Sequence, residues 1–389
     1  MSVTAPKGFI AAGVTCGLKT SGKPDLALVQ NTGPHKFAAS VFTSNRCKAN
    51  PVLWSEQVMS DGIVEAVVLN SGGANCYTGA PGFQVTHSTA EAVGEALGIA
   101  AGDVVVCSTG LIGLDLDLDK LRNGVELAAE ALGSMDAASA DAGHRAAVAI
   151  MTTDSVPKLV EVAGAGYTIG GMAKGAGMLA PGLATMLVVI TTDAHLEPGA
   201  LDHALRAATR VTFDRVDSDG CMSTNDTVTL MASGASEVAP DLAEFTATLT
   251  EACASLARQL QEDAEGASHD IAITVGGAAT EDEAVEVARA VSRSNLFKAA
   301  IFGNDPNWGR VLAAVGTTRA QFDPYDIDVA FNGVWLCRNG QPDASRDLVD
   351  LSPRAVDIRI ELKSGSAEAT ILTNDLTHDY VHENSAYAS

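Results

Sequence analysis

Short apolar runs alternate with amphipathic stretches along the whole chain, which predicts strands interleaved with helices. Strands are expected at 25–30, 38–43, 63–70, 103–108, 186–192, 227–232, 271–277, 327–333, 356–362 and 369–375. Helices are expected at 86–97, 118–131, 137–150, 199–209, 241–264 and 281–294. The helical signal is clearest over 241–264, where Leu242, Phe245, Leu249, Ala252, Leu256 and Leu260 recur every three or four residues and form one apolar face. Pro240 and Asp241 open that helix, and Gly266 supplies a stop. From about residue 320 the pattern changes to alternation, as in IDVAF and VDIRIEL, with NG turns at 332–333 and 339–340. Such alternation suits an antiparallel sheet with one wet face. The class is α/β or α+β, a layered sandwich with central mixed sheets. Glycine and proline are densest over 164–182, the best internal boundary by composition.

One passage breaks the pattern. The run GGMAKGAGMLAPG (170–182) leads to Thr185 and then into MLVVI, a strictly apolar run and the mark of a strand buried on both faces. Gly170, Gly171, Gly175 and Gly177 with Lys174 could cradle a phosphate. A phosphate loop, however, needs G-x-x-x-x-G-K-[ST] leading into a helix, and here the lysine precedes its glycine and a strand follows. Turn chemistry and a catalytic loop both remain open. Thr185 is either an ordinary β-branched strand opener or a nucleophile. In the second case its activator is Lys174 or, if the Ala184–Thr185 bond is cut, its own α-amine, whose pKa of about 7.7–8.0 suits a base near neutrality.

Charge and composition remove several alternatives. Acidic residues outnumber basic ones 48 to 25, for a net charge of −23. Nucleic acid and anionic membrane both need a basic footprint, so neither is expected as a partner. The apolar runs are too short to span a bilayer, and MSVTAPKGFIAAG lacks the pattern of a signal peptide. Seven cysteines, without a C-x-x-C, read as small core residues of a reducing cytoplasm. No metal site is expected.

Other clusters carry weaker chemistry. CSTGLIG (107–113) places Ser108, Thr109 and Gly110 after a strand, as an oxyanion-binding turn or as a plain turn. IMTTD (150–154) ends a helix with Thr152 and Thr153. Glu265, at the negative end of the 241–264 helix, can seek a cation such as a substrate amine, or do nothing of the kind. Trp308 and Arg310 in DPNWGR form a polar loop able to bind a carboxylate or to pack as a structured turn, and HENSAYAS (382–389) is an unusual polar tail. No G-x-S-x-G is present, which argues against a Ser–His–Asp hydrolase.

Taken in order, KGAGMLAPGLATML (174–187), CSTGLIG, IMTTD, DAEGA (263–267), DPNWGR and ENSAY (383–387) resemble one family over essentially the whole chain: the ornithine acetyltransferases, or arginine-biosynthesis glutamate N-acetyltransferases. The resemblance implies self-cleavage between Ala184 and Thr185, giving an α chain of residues 1–184 and a β chain of residues 185–389. It implies Thr185 as the nucleophile that carries acetyl from N2-acetyl-L-ornithine to L-glutamate, with Thr109 and Gly110 as the oxyanion hole. Thr152 or Thr153, Lys174, Thr185, Glu265, Asn384 and Ser389 are the implied substrate-binding positions. It implies a two-part α/β fold and a heterotetramer of two α and two β chains. No cofactor is implied, and acetyl-CoA as a second acetyl donor is left open. Ser268–His269 stands where a threonine and a lysine are expected, and Gly73 and Cys76–Tyr77 also stand where relatives often differ. The alternatives are a self-cleaving amidohydrolase or aminopeptidase with water as acceptor, and an inactive metabolite-binding protein.

Overall fold

The computed structural model describes residues 2–180 and 186–386. The chain forms two compact units. The first holds residues 1–176, 182–214 and 222–260, and the second holds 177–181, 215–221 and 261–389.

In the first unit the described strands are β1 (Phe9–Val14), β2 (Leu26–Asn31), β3 (Phe37–Phe42), β4 (Ala66–Asn70), β5 (Val104–Ser108), β6 (Lys158–Ala163), β7 (Thr168–Lys174), β8 (Leu187–Thr192) and β9 (Thr227–Ala232). The helices are α1 (Asn50–Val58), α2 (Gly79–Leu97), α3 (Leu118–Leu132), α4 (Ala140–Ala149), α5 (Pro198–Val211) and α6 (Leu242–Glu262), the last running just past the unit boundary. The strands make two sheets, ordered β1-β2-β4-β5 and β3-β9-β8-β7-β6. Both are mixed: β4–β5 and β8–β9 run parallel and the other neighbours antiparallel.

These sheets stack because each offers an apolar face to the other. Val29, Val67, Leu69 and Val105 from the first sheet share a core with Met172, Leu187, Val189 and Met231 from the second. The opposite face of the first sheet, with Leu28, Val68 and Val106, packs on Val93 of α2 and Leu121 and Val125 of α3. On the second sheet, Gln259 of α6 accepts from the Leu159 N–H (3.1 Å) and donates to the Leu159 carbonyl (3.1 Å), docking the helix on β6. The expected apolar face of this helix is buried at Phe245, Leu249, Ala252, Leu256 and Leu260. Asp241 caps it, accepting from the N–H groups of Ala243 (2.9 Å) and Glu244 (3.2 Å). Every residue of β8 is buried, as MLVVI predicts.

The glycine run is not a loop throughout. Thr168–Lys174 is β7, paired with β6 and β8, and the loop begins only after Lys174. Glycine serves here for close approach: a Cβ on Gly170 would lie 2.2 Å from the Ser2 carbonyl oxygen.

The second unit has one mixed sheet. Its strands are β10 (Asp270–Ala278), β11 (Asp328–Phe331), β12 (Val334–Arg338), β13 (Gln341–Pro342), β14 (Ala355–Glu361) and β15 (Ala367–Asn374), ordered β13-β12-β11-β14-β10-β15. The alternation is there in β14, but the β10–β14 pair is parallel, so the sheet is mixed and not antiparallel throughout as expected. Helices α7 (Glu281–Ser292), α8 (Asn295–Phe302), α9 (Trp308–Val315) and α10 (His378–Ala386) complete it. Ile271, Ile273 and Ile358 of the sheet pack with Val287, Phe297 and Val311. DPNWGR is therefore half helix, with Asn307 capping α9 by accepting from the Arg310 N–H, and Arg310 donates to the Leu296 carbonyl. Among the described residues, no helix is long and apolar enough to cross a membrane.

Candidate active site

In the first unit, β5 delivers Ser108, Thr109 and Gly110 to a turn held from three directions. The Thr109 N–H donates to the Asn70 carbonyl (2.9 Å), and Ser108 Oγ donates to Asn70 Oδ1 (2.6 Å). Asn225 Nδ2, from the segment that enters β9, donates to the carbonyls of Ser108 (2.8 Å) and Ala74 (2.6 Å). Gly110 has φ +133°, and a Cβ there would lie 2.8 Å from the Gly73 backbone, so this turn needs glycine twice over. With its N–H already used, Thr109 can offer a ligand only its hydroxyl.

That hydroxyl is the end of a buried polar chain. Lys174, the last residue of β7, is 1% exposed, and its Nζ donates to Thr109 Oγ1 at 3.0 Å. The next residue, Gly175, gives its N–H to Asp154 Oδ1 (2.6 Å). Asp154 also accepts from the Lys158 ammonium (2.7 Å) and the Thr152 N–H (2.9 Å). Burial works against the charged form of Asp154, but Lys174, Lys158 and the Gly175 N–H outweigh it and hold the carboxyl down to about 2. Lys19 stands nearby, donating to the carbonyls of Pro24 (2.9 Å) and Met151 (2.7 Å), and burial lowers its pKa. Three lysines around one aspartate make a local positive patch in a chain of net charge −23. A substrate carboxylate is drawn to such a patch.

Of the expected positions, Thr109, Gly110, Lys174 and Thr152 belong to this arrangement, and Thr153 is exposed. Ala184, Thr185 and Ser389 lie outside the described residues. The chain is next described at Met186, whose N–H donates to Asp226 Oδ1 (3.0 Å).

Glu265 and Asn384 belong to the second unit and meet each other, Asn384 Nδ2 donating to Glu265 Oε2 (2.9 Å). Gly177 lies so close that a Cβ would come within 2.5 Å of the Glu265 carboxylate. Glu265 lines a cavity of about 430 Å³ together with Tyr380, Asp219, Lys298 and Arg293. Burial raises the Asp219 carboxyl and lowers the Lys298 ammonium, so both groups are poised to gain from a charged ligand. Ser268, His269 and Asp375 also cluster, but not as a hydrolytic triad. Both Ser268 Oγ and Asp375 Oδ2 meet His269 Nδ1, while Nε2 meets the Leu351 carbonyl (2.9 Å). The imidazole is a brace with no free nitrogen.

Asp154, Lys158, Asn225 and Asp226 are the residues that sequence reasoning passed over. Two signals were there: an aspartate and a lysine four apart at the end of IMTTD, and an Asn-Asp pair opening an all-buried strand.

The fold and site together define a class: a layered α/β enzyme with mixed sheets, in which a Ser-Thr-Gly turn backed by a buried lysine can hold an oxyanion. The sequence model of the ArgJ family matches residues 10–389, and the chain belongs to that family. It is 64% identical to the arginine biosynthesis bifunctional protein ArgJ of Streptomyces coelicolor and 60% identical to that of Thermobifida fusca, covering all of both chains in each case. Among solved structures, it is similar to a chain of ornithine acetyltransferase complexed with ornithine from Mycobacterium tuberculosis. That match is at 50% identity with a TM-score of 0.43, over 48% of this chain and 96% of that one.

Proposed function

We propose that the chain is an arginine-biosynthesis acetyltransferase that moves acetyl from N2-acetyl-L-ornithine to L-glutamate through an acetyl-Thr185 ester. Membership of the ArgJ family supports the reaction class over a hydrolase. The observation that carries the chemistry is the buried Lys174–Thr109 pair. An ammonium donating into a hydroxyl oxygen polarises that hydroxyl and makes it a stronger donor. Self-cleavage between Ala184 and Thr185 frees the α-amine of Thr185, which takes the proton as Thr185 Oγ attacks the acetyl carbonyl. The Thr109 hydroxyl and the Gly110 N–H face the developing oxyanion. Collapse expels ornithine, which takes the proton from the amine. Glutamate then attacks the ester through its own amine, acetylglutamate leaves, and the threonine hydroxyl is restored.

Thr152 or Thr153, Lys174, Glu265, Asn384 and Ser389 are the proposed substrate-binding positions, Lys174 being suited by its charge to a carboxylate and Glu265 to an amine. Residues 1–184 and 185–389 then form the two chains of a cytoplasmic heterotetramer, and the reaction needs no cofactor. That the Streptomyces coelicolor and Thermobifida fusca relatives are called bifunctional favours acetyl-CoA as a second donor.

Purified protein given acetylornithine and glutamate yields acetylglutamate and ornithine in equal amounts with ping-pong kinetics. Release of acetate at the same rate without glutamate would overturn the transferase reading. Supplied instead with acetyl-CoA and glutamate, the protein releases free CoA; no release leaves a single-donor enzyme. Gly110→Ala should lower kcat by about 10²–10³, the usual cost of losing an oxyanion donor, because its Cβ meets the Gly73 backbone at 2.8 Å and moves the turn. Steady-state kinetics at a full KM range check this, and an unchanged kcat removes Gly110 from the oxyanion hole.

A further inference from the structure

Asn225 and Asp226 are consecutive and both buried, yet they face different parts of the site. Asn225 Nδ2 spends both its hydrogens on the turn at residues 74 and 108, as described above. Its Oδ1 accepts from Thr224 Oγ1 (2.6 Å), which fixes the amide's orientation. Asp226 Oδ1 accepts the Met186 N–H, and the Met186 carbonyl in turn accepts from the Thr227 N–H (3.2 Å). The Asp226 carbonyl accepts from the Thr43 N–H (3.0 Å), tying the pair to the end of β3. Among the described residues, Asp226 Oδ2 is buried without a hydrogen-bond partner.

A fully buried carboxyl with an orphaned oxygen is expensive unless it earns something by its position. Here it accepts from the N–H of the residue that follows Thr185 in the chain. We propose that Asn225 and Asp226 form a positioning clamp, which fixes the Ser108–Thr109–Gly110 turn and the Met186 end of β8 to one dipeptide and so sets the nucleophile against its oxyanion donors. Neither residue touches substrate; both act through others. The inference rests on the reading of Thr185 as the nucleophile.

The form of the carboxyl follows from its surroundings. Burial raises its pKa well above the usual carboxylate range, against the lesser opposing pull of the Met186 N–H, Ser223, Lys174 and Thr43. Asparagine keeps an acceptor oxygen at this position without the carboxyl's proton or charge, so it is the near-isosteric replacement.

The test uses full-length protein, with self-cleavage followed by denaturing electrophoresis and acetyl transfer resolved into kcat and KM. Asp226→Ala and Asn225→Ala should each cleave more slowly and lose about tenfold to hundredfold in kcat with KM within about twofold, the signature of a misplaced reactive group. Asp226→Asn should cleave and recover most of the kcat lost in Asp226→Ala. A purely structural role would lower the melting temperature of all three and leave kcat per folded molecule unchanged, which overturns the proposal. Equal loss in Asp226→Asn and Asp226→Ala also overturns it, because it makes the proton or charge, and not the acceptor, the working part. Failure of the nucleophile reading is separate: it appears as acetyl transfer by Thr185→Ala, whatever the clamp variants do.

Discussion

Thr185→Ala protein should run as a single full-length band and transfer no acetyl from acetylornithine to glutamate. Two functions fall together because the reading gives one hydroxyl both tasks: attack on the preceding peptide bond and attack on the acetyl carbonyl. Removing a covalent nucleophile typically costs roughly 10⁶-fold in kcat, far beyond any effect of local repacking. Thr185→Ser is the informative partner. It keeps the hydroxyl and, after cleavage, the α-amine, and loses only the methyl, so it should still divide into fragments 1–184 and 185–389 and retain measurable transfer. Mass spectrometry of wild type mixed with acetylornithine alone should find one extra acetyl on fragment 185–389. A cleaved, active Thr185→Ala protein would end the nucleophile assignment and, with it, the reason for the clamp.

The strands that can be read from the chain are those whose own residues carry the pattern, either an apolar run buried on both sides or an alternation with one wet face. The expected span 227–232 coincides with β9, and 186–192 exceeds β8 by one residue. β7 could not be read this way, since Gly170 and Gly171 look like turn residues until the contact that requires them is known. The Ser2 carbonyl, far from that strand in sequence, presses on it at Gly170, and the Val160 side chain of the neighbouring β6 presses at Gly171. The early start of α2, at Gly79 instead of 86, has the same cause. Gly82 makes room for Thr78, Asn75 and Asn50, and Pro81 is tolerated in a first turn. α10 is legible by no amphipathic pattern, having no buried residue; its first turn is set by Thr377 Oγ1, which accepts from the Tyr380 N–H (2.9 Å).

The site divides along the same line. Thr109, Gly110 and Lys174 stand in strings whose residue types advertise chemistry. Asp154 and Asn225 do not, because their roles consist of contacts with residues 21 and 117 positions away. Local sequence shows which groups could react; only the fold shows which groups hold them. The same consideration explains why an acidic chain can still present a patch for carboxylates. What matters is that Lys158 and Lys174 are buried around one aspartate, with Lys19 half-buried beside them, where water screens them poorly.

The second large effect is expected at that aspartate. Asp154→Ala leaves the fully buried Lys158 without its carboxylate, removes the charge facing Lys174, and strips the acceptor from the Gly175 and Thr152 N–H groups. Breaking a buried pair by deleting one member typically costs about 3–5 kcal/mol, a large share of the stability of most domains. Asp154→Asn keeps an acceptor but not the charge, so it should be destabilised less, yet should still lose kcat as Lys174 is no longer held toward Thr109. The pH dependence separates this account from a simple packing defect. Asp154 has a folded pKa of about 2 against 3.8 for the free side chain. Its contribution is therefore complete above pH 4 and is lost as pH falls through 2, a difference worth roughly 2 kcal/mol. Urea unfolding of wild type and Asp154→Asn should show the widest gap near neutrality, narrowing as the pH is lowered from 4 toward 2. A gap that stays constant over that window means that the carboxylate's charge is not what holds Lys158 and Lys174 in place.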